Sequence, residues 1–124
     1  MGDRICVKIR DANGVSPTLY CHWAGLRALK AVHDALKVDD HCATNVIVNA
    51  VIKAMDSMYS DASYYLYRDE CSEGMADWDQ WTWIFDLTEK VWETTHPDFK
   101  DKKLTVDEVN KILRERRPDI AGVC

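Results

Sequence analysis

Alternating apolar and polar residues at the start of the chain, followed at once by an Asn-Gly pair, constrain the fold more than any other feature. Residues 4–10 read Arg-Ile-Cys-Val-Lys-Ile-Arg, and their period of two is typical of a β-strand with one buried face. Asn13-Gly14 favours a hairpin turn, because both residue types tolerate positive φ angles. Pro17 cannot donate a hydrogen bond to a neighbouring strand, so the second strand is predicted to begin at a bulge or at an edge.

The length of the hairpin loop decides which residues of the two strands face each other. A two-residue Asn13-Gly14 loop would mix apolar and polar side chains on both faces. A three-residue loop over residues 12–14, with Gly14 as a left-handed bulge residue, brings the apolar sets onto one face. That preferred register pairs Val7 with Leu19 and Ile5 with Cys21, assigns Trp23 to the core, and leaves Tyr20 and His22 on the open face.

Two helices are predicted after the hairpin, and one more near the end of the sequence. The apolar period changes to that of a helix after Gly25. Residues 42–58 carry a wide apolar face that includes Met55, which predicts a helix packed both on a sheet and on its helical neighbour. The last helix is predicted from a capping box, Thr105-Val-Asp-Glu108.

Three further strands are predicted at residues 63–68, 81–87 and 90–94, although the last segment also tolerates a helix. In the second of them, the predicted core face carries Trp81, Trp83, Phe85 and Leu87. The chain is therefore predicted to be a single α+β domain over residues 1–124. Its predicted architecture is a five-stranded antiparallel sheet with about three helices packed on one face, in the order ββααβββα.

Composition points to a globular protein of the cytoplasm. Hydrophobic residues make up 47% and charged residues 30% of the 124 residues, and the only long run that is mainly apolar, at 46–52, contains Asn49 and is too short to span a bilayer. The first residues lack the pattern of a secretory signal. Five cysteines without pairwise spacing favour reduced thiols over a disulfide framework.

The negative charge is concentrated in one segment. The net charge is −5, but residues 54–89 hold nine acidic residues and one arginine, an excess of eight negative charges. A local field of that sign repels nucleic-acid phosphates and attracts a basic protein surface. The sequence therefore predicts a protein partner with a basic surface and no direct contact with nucleic acid.

Cys21 and His22 have the residue types of a nucleophile and its base. Adjacent side chains of a strand point to opposite faces, so these two are not expected to bond to each other. A catalytic pair would need Cys21 together with His33 or His41. We expect no catalytic residue, and a buried, structural Cys21 is the favoured interpretation.

Two metal-like patterns are incomplete. Cys21-His22 and His41-Cys42 lack the spacing that lets neighbouring ligands converge on zinc. Residues 69–80 are similar to a calcium loop, but Cys71 replaces a hard ligand and Gln80 cannot supply the bidentate carboxylate. We therefore expect no metal ion and no cofactor.

Aromatic and acidic residues together predict a surface for a protein partner. Tyrosine and tryptophan combine an apolar ring with a polar tip, and next to carboxylates they suit an arginine-rich or lysine-rich target. The predicted partner-binding residues are Asp69, Glu70, Glu73, Asp77, Asp79, Trp78, Tyr65, Tyr67, Tyr20 and His22. A partly solvated sheet face and a homodimer interface are alternative interpretations of the same residues.

The first 36 residues or so resemble small proteins encoded by phages and prophages. The resemblance rests on Met1-Gly2-Asp3-Arg4, on the Asn13-Gly14 hairpin and on the Tyr20-x-His22-Trp23-x-Gly25 segment. Such proteins start with a short hairpin and end with a strand pair and a helix. Many small acidic phage accessory proteins inhibit host defence systems by binding, CRISPR complexes among them, so the resemblance implies an anti-CRISPR-type inhibitor.

The combined expectation is a non-enzymatic, phage-type binding protein in the cytoplasm of a bacterial host cell. It would inhibit a bacterial defence complex of the CRISPR type, or a regulatory complex, by occluding a basic, nucleic-acid-contacting surface with its acidic, aromatic patch. Two alternatives stay open: a small cytosolic thiol or hydrolase-type enzyme that uses Cys21 or His22, and a homodimeric assembly protein.

Overall fold

A computed structural model describes residues 3–57, 64–67 and 74–120, which form a mixed β-sheet and three helices. The strands are β1 (Ile5–Asp11), β2 (Gly14–Val15), β3 (Thr18–Cys21), β4 (Tyr64–Tyr67), β5 (Thr82–Asp86), β6 (Val91–Thr94) and β7 (Leu104–Thr105). The helices are α1 (Arg27–Val38), α2 (Ala43–Ser57) and α3 (Val106–Arg116). The predicted α+β class is confirmed, but the predicted element order lacked the two-residue strands β2 and β7.

The strands lie in the order β4-β3-β1-β5-β6-β7, with β2 paired to β1. The prediction of a five-stranded, purely antiparallel sheet is wrong, because β1 and β5 run parallel. β4 pairs with the outer side of β3, so the chain has to cross the sheet before β5 can pair with β1. Residues 74–81 are the described part of this crossing, where Ala76 packs against Cys6 and Tyr20 on the face opposite the helices.

The predicted register of β1 with β3 is confirmed, since Val7 lies opposite Leu19 and Ile5 lies opposite Cys21. The predicted three-residue loop is wrong. Asp11 lies opposite Gly14, which leaves a two-residue turn between them. The additional residue that sets the register lies further along the chain, in a bulge between β2 and β3.

Ser16 and Pro17 form this bulge, as the proline had predicted. The Ser16 N–H donates to the Ile9 carbonyl at 2.8 Å, and the Ile9 N–H donates to the Ser16 hydroxyl oxygen at 3.0 Å. The same hydroxyl donates to the Pro17 carbonyl at 2.8 Å. A buried serine side chain therefore accepts a hydrogen bond that a regular ladder would direct to a backbone carbonyl.

Replacing Ser16 by alanine is expected to lower the free energy of unfolding by about 1–2 kcal/mol, because the buried Ile9 N–H loses its acceptor. Urea unfolding followed by far-ultraviolet circular dichroism measures the loss. Pro17→Ala is the control, since Pro17 is exposed in the same bulge and its substitution leaves the Ser16 hydroxyl in place. A loss in Ser16→Ala no larger than that in the control would contradict the role of the hydroxyl.

Side chains cap the N-termini of two helices. The predicted capping box of α3 is confirmed: the Glu108 N–H donates to the Thr105 hydroxyl, and the Thr105 N–H donates to the Glu108 carboxylate. The Asp11 carboxylate accepts the Ala43 N–H at 2.8 Å and the Asn13 N–H at 2.8 Å. These bonds lower the pKa of Asp11, and they join the hairpin turn to the start of α2.

The main core lies between the sheet and all three helices. Its largest fully buried side chains are Trp83, Trp92 and Phe85. The ring centroid of Trp92 lies 5.2 Å from that of Phe85 and 6.2 Å from that of Trp83, both in edge-on geometry. Leu29 and Val32 of α1 complete this layer from the helical side, as the apolar period had predicted.

The prediction that Trp23 lies in the core is wrong, because Trp23 belongs to the corner between β3 and α1. Its side chain is 48% exposed instead of buried, because β3 ends at Cys21 and the alternation of faces does not continue. Gly25 turns the chain toward α1 with a φ of 57°, and a Cβ atom at this position would meet the carboxylate of Asp3. The Gly25 N–H donates to the Asp3 carbonyl, which fixes the corner against the segment before β1.

The outer side of α2 also departs from the prediction. Val46, Ala50 and Ala54 are buried against the core, whereas Met55, predicted on the packed face, is exposed. Only one side of this helix is covered in the described structure. None of the described helices combines the length and the hydropathy needed to cross a bilayer.

Candidate functional site

Aromatic rings from β3, from β4 and from the corner after β3 are in contact at one end of the sheet. The ring centroids of Tyr20 and Tyr65 are 6.2 Å apart, and the Tyr20 hydroxyl forms a 2.7 Å hydrogen bond with Nδ1 of His22. The His22 ring lies edge-on to Trp23, with 4.7 Å between centroids. We call these four residues the tyrosine cluster.

Tyr20 is not the open surface residue that the hairpin register had predicted. The register places it on the face away from the helices, as expected, but its side chain is buried there with Cys6 and Ala76. Burial follows from the crossing between β4 and β5, which covers this end of the open face. His22 is half-buried, and Tyr65 is half-exposed. The outward-facing part of the tyrosine cluster is therefore Trp23 and Tyr65.

Residues 74–81, which we call the tryptophan turn, present the most exposed large apolar side chain of the described residues. Trp78 is 86% exposed, and its ring centroid lies 5.5 Å from that of Trp81. Both tryptophans have left-handed backbone conformations, with φ angles of 71° and 64°. Such conformations cost about 1–3 kcal/mol each in non-glycine residues, so the rest of the structure has to impose them.

Arg4 and the residues around it impose this conformation. The Asp79 carboxylate accepts hydrogen bonds from the Arg4 backbone N–H at 3.0 Å and from Arg4 Nε at 2.8 Å. Arg4 Nη2 donates to the Asp77 carbonyl at 3.3 Å, and the Gln80 N–H donates to the Arg4 carbonyl at 2.9 Å. Trp83 Nε1 donates from the core to the Gln80 carbonyl at 2.7 Å. The tryptophan turn is therefore fixed both to the start of β1 and to the core.

Asp79 acts as an internal partner of Arg4. The hydrogen bond from the Arg4 guanidinium holds the pKa of Asp79 below its ordinary value, and the hydrogen bond from the Arg4 backbone N–H acts in the same direction. Tyr20 of the tyrosine cluster packs against Ala76 of the tryptophan turn, which joins the two groups of residues. Asp77, which is half-buried, lies in the same turn beside Trp78.

The predicted site residues therefore fall into three groups. Tyr20, His22, Tyr65, Asp77, Trp78 and Asp79 are described, and the contact between Tyr20 and Ala76 links the tyrosine cluster to the tryptophan turn. Tyr67 belongs to β4, where it pairs with Thr18. Asp69, Glu70 and Glu73 lie outside the described residues.

Cys21 has the environment of a structural thiol. It is fully buried in the main core, and burial raises its pKa to about 12. A thiol with such a pKa carries almost no thiolate at neutral pH, and the thiolate is the nucleophile. His22 faces the opposite side and bonds to Tyr20, so the predicted separation of the two side chains is confirmed.

The other two histidines considered as partners for Cys21 are engaged elsewhere. His33 accepts a hydrogen bond from Trp92 Nε1 at its Nε2 atom, 2.9 Å away, and its Nδ1 atom bonds to Asn110. The His41 side chain is 87% exposed and bonds to Asp39. The geometry of a thiol catalyst is thus not assembled from these residues.

Within residues 3–57, 64–67 and 74–120, no group of three or more histidine, cysteine, aspartate or glutamate side chains is placed to hold a metal ion. The segment similar to a calcium loop begins at residue 69 and lies only partly within the described ranges. Comparisons with protein-family models, with curated proteins and with solved structures gave no match for this chain.

Sequence reasoning missed two contributors to the site. Arg4 was not predicted to belong to the site, and nothing local to it indicates a partner 75 positions away. Trp81 was placed on the core face by the alternation of residues 81–87. Its positive φ instead removes it from β5 and brings its ring to Trp78.

Proposed function

We propose that this is a non-enzymatic binding protein that docks a protein partner through Trp78. The observation that carries the proposal is the 86% exposure of Trp78 on a turn where two tryptophans hold unfavourable backbone conformations. Strain of this kind is commonly kept at functional sites, and tryptophan is enriched among residues that dominate binding energy. Because the turn is fixed by Arg4 and Trp83, little entropy is lost when Trp78 is covered.

Charge supports a basic partner. Residues 54–89 hold eight excess negative charges, and the tryptophan turn lies inside that segment. Asp79 is paired with Arg4, so Asp77 is the described carboxylate of the turn with the greater freedom to meet a cation. Lysine or arginine side chains can also stack on an exposed indole. Salt is expected to slow association, since long-range attraction between opposite charges is screened.

The finer proposal is that the protein acts as a phage-type inhibitor of a bacterial defence complex of the CRISPR type, or of a regulatory complex, in the host cytoplasm. It rests on the resemblance of the first 36 residues or so to small phage-encoded proteins. Carboxylates carry the same sign of charge as nucleic-acid phosphates. An acidic surface with an aromatic anchor can therefore bind, and so occlude, a basic surface that normally contacts nucleic acid.

Substituting Trp78 by alanine is expected to weaken binding to the partner by about 30-fold or more, the loss typical of a residue that dominates an interface. The probe is a panel of purified, guide-loaded CRISPR effector complexes. Their DNA binding is measured by fluorescence anisotropy as the protein is added. Wild type should abolish DNA binding by one of the effectors, and Trp78→Ala should need much higher concentrations.

Lys111→Ala is the matched control, since Lys111 is exposed on α3, on the helical side of the sheet. It should inhibit as wild type does. Inhibition that is equal in wild type and Trp78→Ala would exclude the tryptophan turn as the docking site. A panel in which no effector is inhibited would remove CRISPR effectors as the target class.

A further inference from the structure

α2 carries a second apolar face that nothing in the described structure covers. Val48, Ile52 and Met55 are 46%, 49% and 65% exposed, while Val46, Ala50 and Ala54 on the other side of the helix are buried. Val48, Ile52 and Met55 are four and then three residues apart, so their side chains lie on successive helical turns along one side of α2. We call these three residues the α2 stripe.

We propose that the α2 stripe packs against the α2 stripe of a second copy of this chain. In an antiparallel, two-fold arrangement, Ile52 lies near the axis and meets Ile52 of the second copy. Val48 then lies opposite the second copy's Met55, so a small side chain faces a long and flexible one. The stripe is thus complementary to itself, as a two-fold interface requires.

Charge favours a second copy over a charged partner. The chain has a net charge of −5, so two copies repel each other over most of their surfaces. The outward-facing residues of the described α2 side are uncharged: Thr44, Asn45, Val48, Ile52 and Met55. At these five side chains a like-charged copy meets no ionised group that would have to be desolvated, and a basic partner finds no carboxylate among them.

The size of the stripe sets the expected strength. Three side chains from each copy form a contact smaller than a standard stable interface, so the dimer should be weak and should depend on concentration. The face lies on the helical side of the sheet, away from the tryptophan turn. Dimerisation is therefore independent of the proposed docking through Trp78.

Sedimentation velocity over a series of protein concentrations tests the proposal. The weight-average sedimentation coefficient of wild type should rise with concentration toward that of a dimer. Ile52→Asp should stay monomeric across the series, and Trp78→Ala should behave as wild type. Far-ultraviolet circular dichroism checks that Ile52→Asp is folded, which is expected because Ile52 is half-exposed. A monomeric wild type, or an Ile52→Asp variant that dimerises equally well, would overturn the proposal.

A mixture of two variants tests the antiparallel register. Val48→Asp and Met55→Lys should each be monomeric alone, because each puts a charge opposite an apolar side chain twice in the dimer. Mixed in equal amounts, they should recover dimerisation, since one contact then joins opposite charges and the other keeps the native pair. Two folded variants that stay monomeric when mixed would contradict the antiparallel arrangement.

Discussion

Acidification from pH 7 to pH 4 is expected to lower the free energy of unfolding by about 3 kcal/mol through His33 alone. His33 of α1 is buried against β6 and α3, and burial lowers its pKa from 6.5 to about 4. A difference of that size between the unfolded and folded states corresponds to about 3 kcal/mol, at 1.36 kcal/mol for each pKa unit.

The hydrogen bonds of His33 explain why the neutral ring is preferred. Trp92 Nε1 can only donate, so Nε2 of His33 accepts and carries no proton. Nδ1 therefore carries the proton and donates to Oδ1 of Asn110 at 2.9 Å. Protonation of Nε2 would set two donors against each other in a buried site.

The direction of the pH effect follows from the order of the two pKa values. Between about pH 6.5 and pH 4 the unfolded chain takes up a proton at His33 that the folded chain does not. Stability from this group is therefore complete above pH 6.5 and is lost as the pH falls to about 4. Burial also lowers the pKa of His96, which adds loss of the same sign. The ion-paired carboxylates, such as Asp79 and Asp86, lose their stabilising effect as the pH falls through their ordinary value of 3.8, so most of that loss lies below pH 4.

Urea unfolding at intervals between pH 7 and pH 4 measures this effect. His33→Gln should be less stable than wild type at pH 7 but should lose much less stability on acidification. His41→Gln is the control, since it removes a histidine whose side chain is 87% exposed and lies outside the core, so the loss attributed to His33 should remain. A wild-type protein with equal stability at both ends of the range, or a His33→Gln variant with an unchanged slope, would show that His33 is not the group responsible.

The parts of the fold that could be predicted from the sequence are those governed by local patterns. The faces of β1 and β3 follow from a period of two, so the pairing of Val7 with Leu19 could be chosen over its alternatives. The cap at Thr105 depends on residues only three positions apart. The same register is compatible with more than one loop length, however, so the two-residue turn could not be chosen from it. The bulge at Ser16 depends on a hydrogen bond to the Ile9 N–H, which lies in another strand.

Features that depend on distant parts of the chain were not predictable in this way. The parallel pairing of β1 with β5 arises because β4 occupies the outer side of β3, and no local pattern encodes that order. The same crossing buries Tyr20, which the alternation had placed on an open face. For the candidate site, aromatic composition and acidic charge predicted Trp78 as a partner-binding residue, and the structure shows that its side chain is exposed. Composition and charge were not enough to show that Asp79 is held by Arg4.

Trp83 is the residue through which the core holds the tryptophan turn. It is fully buried in β5, and its ring centroid lies 5.8 Å from that of Phe99. Its indole N–H reaches out of the core to the Gln80 carbonyl at 2.7 Å, next to Trp81 with its positive φ. The Trp83 side chain therefore contributes both to the stability of the core and to the exposed position of Trp78.

Two substitutions separate these roles. Trp83→Ala should lower the free energy of unfolding by about 3–5 kcal/mol, because it leaves a large cavity in the centre of the sheet. Trp83→Phe keeps an aromatic ring and should cost only about 1–2 kcal/mol, but it removes the donor to Gln80. In Trp83→Phe the tryptophan turn should open locally before the protein unfolds, since a conformation that is costly in isolation has lost one of its supports.

Urea unfolding gives the two stability losses, and amide hydrogen exchange followed by mass spectrometry reports on residues 74–81. Exchange in this segment should be faster in Trp83→Phe than its global stability alone predicts. Phe85→Leu is the control, because it disturbs the same core while leaving the indole hydrogen bond intact. The contrary result is that Trp83→Phe and Phe85→Leu each accelerate exchange in the tryptophan turn only in proportion to the stability they lose. That result would show that general core packing, and not the Trp83 hydrogen bond, holds Trp78 in place.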